Sequence, residues 1–599
     1  MRLNGALRSM LVPFALTLLV GGVLIVVAFA LTGLLPLPAV AGLVARPAPR
    51  EAIVEAENTG NAVPQPVNAS PPTASATATR APRIDDFTLV CAANAHRLAL
   101  AHPDGSLATT ASRLLVPPES ADAYVLADGR LARVPLEALD QPTDVFVMVQ
   151  TEPLDRLVNN VPFQELVDLA YDRSSGTLLA LDKSGRVFRY TPGGQWGLVR
   201  YPEMAPDGEA DPGYLAISAA GGSVYLLDAD LNQVWRFPIE GADNGPPAPV
   251  FPGSRFDGAF GGPGLEAGVD LLTDREGLVA LYTDGTIGRY DGGESAPRLE
   301  LAVEADLPLS LVAHEGQAYV VDGLRRAFIL ADTDTSKPQT GYQFVFPEMG
   351  LVRDAAFDEA GRVLALADST LLVHAPGESD EACDPPDDLT APSFYYGADL
   401  TDVLADFRYP IDNALLPSVP RAYPGARRLY RAGVHRGLDI HPWDVPGGID
   451  IGEPIHAMQD GVVTRADVNY TPVSEAEFAI LTEQALALNI SLPSTLDRIG
   501  GRQVAIDHGN GVTTRYMHLD SLGDGIALGA EVKRGQVIGT VGVSGTGREG
   551  SVNYAYVAAH AHVEIWIGDH YLGQGLTLRE TMWLLQQVFP AVDVAPPLF

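Results

Sequence analysis

Cysteine and positive charge are what this chain has least of. Only two cysteines, Cys91 and Cys383, occur in 599 residues, and a pair so far apart makes no metal site by itself. Lysine and arginine total 40 against 75 aspartates and glutamates, for a formal net charge of -35. No basic excess exists to replace counterions, which argues against nucleic acid and anionic lipid surfaces as partners. Hydrophobic residues at 46% and charged residues at 19% exclude a largely disordered chain. Glycine (60) and proline (47) are plentiful, as in turn-rich β proteins. The length exceeds what one core can organise and implies about three or four folded units.

Residues 11–37 carry no charge. That run is long enough to cross a membrane as a helix, and longer than the roughly 7–15 residues of a signal-peptide core. Arg2 and Arg8 precede it and favour a cytoplasmic N-terminus. The competing reading is a cleaved signal, because Ala39-Val40-Ala41 resembles a cleavage site. Either reading exports the rest of the chain, so the expected location is the cell membrane, single-pass, with the bulk extracytoplasmic. Residues 1–45 are expected as cytoplasmic end and anchor. Residues 46–85, rich in Pro, Ala, Ser and Thr, are expected as an exposed linker.

A repeated pattern follows. Strand, tight turn and strand recur at YVLADGRLARV (124–134), LLALDKSGRVFRY (178–190), VYLLDADLNQVWRF (224–237), LVALYTDGTIGRY (278–290), AYVVDGLRRAFIL (318–330) and VLALADSTLLVH (363–374). Alternation gives each unit one buried face, and Asp-Gly or Asp-x-x-Gly supplies several of the turns. Several units follow a shorter strand such as ELVDLAYD. A spacing of about 40–55 residues is that of propeller blades. Six units imply a six-bladed β-propeller over 86–384 that resembles the NHL type; a pair of β-sandwiches is the alternative. Cys91 falls in the first expected strand and Cys383 just past the last. A disulfide between them would lock such a ring and requires an oxidising compartment. In the chain-entropy picture it contributes on the order of 5 kcal/mol before strain. Residues 385–404, rich in Pro and Asp at their start, are expected as a linker to a last domain at 405–599.

Eight of the twelve histidines fall after residue 430. His435-Arg-Gly-Leu-Asp439 places an imidazole and a carboxylate around a glycine that lets the backbone bend. By itself it is equally a surface pair. Val504 to Leu519 reads as strand, Gly-Asn-Gly turn and strand, with His508 beside the turn as a structural residue. His518 ends the second strand, aligned by the two-residue period with Thr514 and Tyr516. A glycine-punctuated stretch at 529–542 reads as scaffold. In His560-Ala-His562 the two imidazoles share one strand face about 7 Å apart, while Ala561, Val563 and Ile565 face a core. Two such histidines are costly to bury without a metal or partners.

Together these segments resemble the lysostaphin/LytM-type zinc endopeptidases. The resemblance runs over about 405–572 and rests on H-x-G-x-D at His435, D-G-x-V at Asp460, the I-D-H-G-N-G hairpin, the G-Q-x-I-G turn and H-x-H-x-E-I at His560. It implies an all-β domain with a duplicated hybrid motif, Zn2+ held by His435, Asp439 and His562, and His518 with His560 as the acid–base pair. The implied substrates are peptidoglycan peptides, with hydrolysis of cross-links. The overall fold class expected is therefore mainly β: a transmembrane helix, a six-bladed propeller and a LytM-like domain with a helical insertion. The propeller would recognise a glycan or a protein. The alternative is a catalytically silent binding or regulatory module in cell-wall remodelling.

Two departures from the family pattern touch the groove. Residues 469–500 are inserted, with an expected helix capped by Ser474 and a capping box through Glu477. Its positions Phe478, Ile480, Leu481, Ala485 and Leu488 recur near helical spacing and imply one buried face and a lid or side wall. The approach to His560, REGSVNYAYVAAHAH, is longer than the family's.

Overall fold

The structure is a computed structural model. It describes residues 17–20, 23–26 and 87–595, apart from short internal stretches, the longest being 201–213, 251–264, 296–304, 383–393 and 550–558. The chain divides into two compact units, Met1–Ala76 and Thr77–Phe599.

In the first unit the described residues form two short strands, Thr17–Val20 and Val23–Val26, paired antiparallel. The helix expected over 11–37 is therefore not present at these positions, and no helix among the described residues is long and apolar enough to cross a membrane. The sequence offers a reason. The run mixes Leu with β-branched residues on both sides of Gly21-Gly22, and an apolar run without periodicity does not by itself distinguish strand from helix. The rest of the expected anchor and the linker at 46–85 lie outside the described residues.

The second unit is built mainly of strands. All six expected hairpins form, among them Asp122–Ala127 with Arg130–Pro135 and Thr177–Asp182 with Val187–Thr191. Each is preceded by an inner strand, and the six inner strands are Ala111–Leu115, Leu166–Asp172, Tyr214–Ala220, Gly268–Thr273, Pro308–His314 and Val352–Phe357. They lie side by side in chain order, and the last adjoins the first. Among the described residues no single sheet closes on itself; separate sheets stand in a ring, which is the arrangement of propeller blades. The N-terminal strand His96–Ala101 completes the last blade by pairing with Thr370–His374.

A β-bulge sits at the second residue of every inner strand. The residue after it is Asp in the second, fourth and sixth blades. Asp168, Asp270 and Asp354 each accept from the backbone N–H of the next blade, at Ile217, Leu311 and Leu114. The equivalent position in the first blade is Arg113, whose Nε donates to Asp168 at 2.6 Å. Buried carboxylates thus tie alternate blades to their successors, and one guanidinium offsets part of their charge.

Cys91 ends the strand Phe87–Cys91, which adds in parallel to Gln339–Gln343 of the fifth blade. Val90 bridges to Ala382, the neighbour of Cys383. Cys383 itself lies outside the described residues.

The C-terminal sheet runs β1 (Leu438–Ile440), β2 (Gly461–Ala466), β3 (Val504–Gly509), β4 (Val512–Met517), β5 (Glu531–Val532), β6 (Ala561–Ile567) and β7 (His570–Tyr571) in the chain. In space the order is β1-β6-β4-β3-β2-β5, with β7 on β6. All pairs are antiparallel. The β3–β4 hairpin turns on Asn510 and Gly511, both at positive φ, as a type I′ turn requires. The two-residue period buries Ile440, Val504, Ile506, Tyr516, Ala561 and Val563 on one face. The opposite face is left for the site.

The segment expected as a linker is part of this core. Tyr395, Tyr396, Leu400 and Leu404 are buried with it, and so are Leu307, Leu309 and Leu351 from the propeller. The contact is polar as well. Arg353 of the sixth blade donates from Nε to Glu580 at 2.8 Å, and both side chains are almost fully buried. Glu580 lies in the first turn of helix α3 (Leu578–Val588), and the Tyr395 hydroxyl also donates to it. Lys183 bonds Glu165, the Tyr571 hydroxyl and the Gly573 carbonyl. Removing one partner strands a buried charge. The Glu580→Ala substitution is expected to lower the unfolding free energy by about 3–5 kcal/mol, measured by chemical denaturation of the full chain.

Candidate active site

Strand pairing builds the centre. Asp439 on β1 stands directly opposite His562 on β6, and Met517 on β4 stands opposite His562 from the other side. All three project from the face away from the core. His435 comes from the loop before β1, where His435 Nδ1 bonds the Tyr423 carbonyl at 3.1 Å. A carbonyl only accepts, so Nδ1 carries the proton and Nε2 turns its lone pair inward. Gly437 is required between the two ligating positions, because a Cβ there would sit 2.6 Å from His562 Nε2.

Three atoms converge. His435 Nε2 is 2.9 Å from Asp439 Oδ1 and 3.0 Å from His562 Nδ1, and His562 Nδ1 is 2.8 Å from Asp439 Oδ1. One ligand atom from each residue lies within 4.8 Å of the others, and all three residues are buried, so the trio can hold a metal ion. The donor set fits such an ion on physical grounds. Lone pairs facing one another out of water repel unless a cation lies among them.

Electrostatics show the same demand. Burial, and then the Arg428 charge, lowers the His435 pKa to about 3, so its ring is neutral. Burial alone would raise Asp439, but His435, His560 and its hydrogen bonds hold the carboxyl well below its usual range. Burial pulls His562 down, yet its hydrogen bonds to Asp439 and Glu564 outweigh this and raise it to about 9. Without a metal, the positive charge the trio needs is a proton on His562.

The two remaining histidines stand beside the trio. The His518 and His560 rings are 4.7 Å apart, His518 is 5.7 Å from His562, and His560 Nε2 is 3.7 Å from Asp439 Oδ1. His518 Nδ1 donates to the Ser544 carbonyl at 2.7 Å, which directs Nε2 to the cleft. Burial, His560 and His562 keep its pKa well below the ordinary value, so the ring is an unprotonated acceptor. His560 stacks on His441, which stacks on Trp443.

One expectation about His518 fails in detail. It does not share a face with Thr514 and Tyr516, which point into the core. β4 ends at Met517, and His518 has φ 59°. That left-handed residue breaks the alternation and turns the imidazole into the cleft with Thr513, Arg515 and Met517. His508 is structural as expected, bonding the Asp460 carbonyl and the Thr514 hydroxyl.

The cleft has a volume of about 680 Å3, within the usual range for ligand sites. The insertion forms one wall. It contains two helices rather than one, α1 (Glu475–Leu488) and α2 (Pro493–Ile499), and Phe478 and Leu496 line the cleft. Ser474 caps α1 as expected, accepting from the Glu477 N–H. The Glu477 carboxylate is paired with Arg498 of α2. The single buried face does not form: Ala485 is buried, but Ile480 and Leu488 are 54% and 51% exposed. Apolar residues recur on every side of this helix, so spacing alone could not choose the face. The lengthened approach to His560 falls on 550–558, outside the described residues.

Several contributors carry weak or no sequence signals. Arg428 pairs with Asp439 Oδ2 at 2.9 Å across a loop, and the Tyr423 and Ser544 carbonyls are backbone atoms. Glu564 was legible, being two residues from His562 on the same strand face; its Oε1 faces His562 Nε2 at 3.5 Å.

Residues 433–573 match the family described as Peptidase family M23, whose members are zinc metallopeptidases acting on peptidoglycan. A search of curated proteins gave no match. Among solved structures, the chain is similar to the catalytic domain of the antimicrobial peptidase lysostaphin from Staphylococcus simulans. The identity is 20%, covering 28% of this chain and 86% of that one, with a TM-score of 0.15. It is also similar to a gluconolactonase from Xanthomonas campestris, at 15% identity, 45% and 87% coverage and a TM-score of 0.32. A streptogramin B lyase matches at 11% identity, 44% and 93% coverage and a TM-score of 0.30. Scores this low over the whole chain carry no argument about function.

Two outcomes follow from the geometry. A divalent metal must displace the His562 proton, while His435 is already neutral. Apparent metal affinity is expected to rise about tenfold per pH unit from neutrality to about pH 9, with one proton released, and then to level off. Calorimetry in buffers of different ionisation enthalpy reads both. Glu564→Ala is expected to weaken metal binding about 10–100-fold in a competition titration, through loss of the group that orients His562.

Proposed function

We propose that this chain is an exported zinc metalloendopeptidase that hydrolyses peptide bonds of peptidoglycan cross-links, with the propeller as a docking or recognition platform. The observation that carries the reading is the convergence of His435 Nε2, Asp439 Oδ1 and His562 Nδ1 in a cleft that also holds His518 and His560. Two imidazoles and a carboxylate are zinc donors, and three protein ligands leave a position open, as in hydrolytic sites. Zinc, when bound, supplies Lewis acidity toward a carbonyl and lets water ionise near neutrality.

The acid–base work falls to His518 and His560. His518 offers an unprotonated Nε2 to the cleft and is the better placed to take a proton. His560, held by its stack on His441, is placed to donate to the oxyanion or to the leaving amine. A silent module has no use for two such histidines beside a complete donor set, which favours an enzyme.

Export goes with the disulfide. The Val90–Ala382 bridge supports a Cys91–Cys383 pairing that ties the strand at the start of the propeller to the end of its last blade. Free-thiol titration of the folded, non-reduced protein is then expected to find no reactive thiol, and two reactive thiols would remove this part of the reading. The propeller surface bearing Lys183, Leu307 and Leu351 is covered by the peptidase domain, so a glycan or protein ligand would use another surface.

The central test separates ligands from acid–base groups in the full chain. About one zinc per chain is expected. His562→Ala should empty the site, whereas His518→Ala and His560→Ala should keep the metal and lose peptidoglycan hydrolysis. Full zinc occupancy in His562→Ala would refute the ligand assignment, and loss of zinc in the other two would reverse the roles.

A further inference from the structure

The chain is acidic but its cleft is not. Acidic residues outnumber basic ones 75 to 40 in the whole sequence, whereas five arginines and three carboxylates line the cleft. Some of these arginines are committed. Arg428 is held by Asp439, and Arg465 by Asp467 and Asp497.

Arg436 and Arg515 are placed differently. Arg515 is 41% exposed, and its carboxylate partner, Glu564, is 3.6 Å away. Arg436 makes no ion pair among the described residues and lies instead against a ring. Both guanidiniums lie over Trp566, 4.4 Å and 5.9 Å from the ring centroid for Arg515 and Arg436. Stacking orients a planar guanidinium while leaving its N–H donors free. Glu564 cannot neutralise the two of them. It already accepts from Trp566 Nε1 at 2.7 Å and faces His562 Nε2. Two oriented cations that share one carboxylate, itself also engaged by Trp566 and His562, form a carboxylate receptor.

Strand register sets its distance from the metal-binding trio. Arg515 stands opposite Glu564 and Met517 opposite His562, so the two levels are two strand residues, about 7 Å, apart. An extended peptide advances about 3.3–3.6 Å per residue, which makes the offset two residues of substrate.

We propose that this cleft selects an acidic peptide, binding a substrate carboxylate about two residues from the scissile bond between Arg436 and Arg515. The inference rests on the peptidase reading and names its substrate class.

The test uses the full, metal-loaded chain and two synthetic stem peptides, identical except for a carboxylate or a carboxamide at that position. Binding is measured by calorimetry on His518→Ala protein, so that no peptide is consumed. The acid is expected to bind roughly tenfold tighter or more, as a charge-assisted pair implies. Adding Arg436→Gln and Arg515→Gln should bring the ratio to about one, while Lys at both positions should keep part of it. Arg515→Glu should turn the preference toward a peptide with Lys at that position. Equal binding of acid and amide, or a ratio indifferent to the paired Gln substitutions in protein with an unchanged melting temperature, would overturn the proposal. Cleavage of the same peptides by the unsubstituted chain separates the two readings. A binding preference without cleavage removes the peptidase alone; equal binding with equal kcat/KM removes the selection alone.

Discussion

Three acceptor atoms turned toward one another in a buried cleft floor cannot stay together without a positive charge among them. Asp439 and His562 face each other because β1 and β6 pair in one register, and His435 is held against them by the Tyr423 carbonyl. Glu564 and Arg428 fix the outer sides of His562 and Asp439. Every contact around the trio therefore orients a lone pair inward. The raised His562 pKa is the signature of that constraint, since the proton substitutes for a metal.

The remaining architecture keeps this centre dry on one side and open on the other. Behind the sheet, Ile440, Tyr516 and Val563 pack into a core that continues into the propeller at Leu307 and Leu351. The Arg353–Glu580 pair sits in the same contact, where close geometry, the Tyr395 hydroxyl and the Asp368 carboxylate beside Arg353 offset its desolvation cost. In front, α1 and α2 supply a wall from chain that the family pattern lacks. The propeller and the C-terminal sheet thus share one core.

Charge is distributed to the same end. Carboxylates outnumber basic groups in the chain as a whole. Five arginines line the cleft, and Trp566 holds two of them in place.

Local pattern was enough for several features. Alternation with Asp-Gly turns exposed six hairpins, because side-chain period and turn chemistry are properties of a few consecutive residues, and the resemblance of the motifs around His435, Asp439, His518, His560 and His562 to a zinc endopeptidase family pointed to residues that the fold gathers in one cleft. It misled where local preference is degenerate. The apolar run over 11–37 suits a strand as well as a helix, and α1 is apolar on every side. Alternation also placed His518 with Tyr516, which a single left-handed residue reversed. Tertiary structure alone decided the rest. Residues near 395 became core because propeller side chains reach them, Arg428 met Asp439 across a loop, and Trp566 gathered Arg436 and Arg515 from separate segments. These are encounters between distant parts of the chain, and no short stretch of sequence contains both partners.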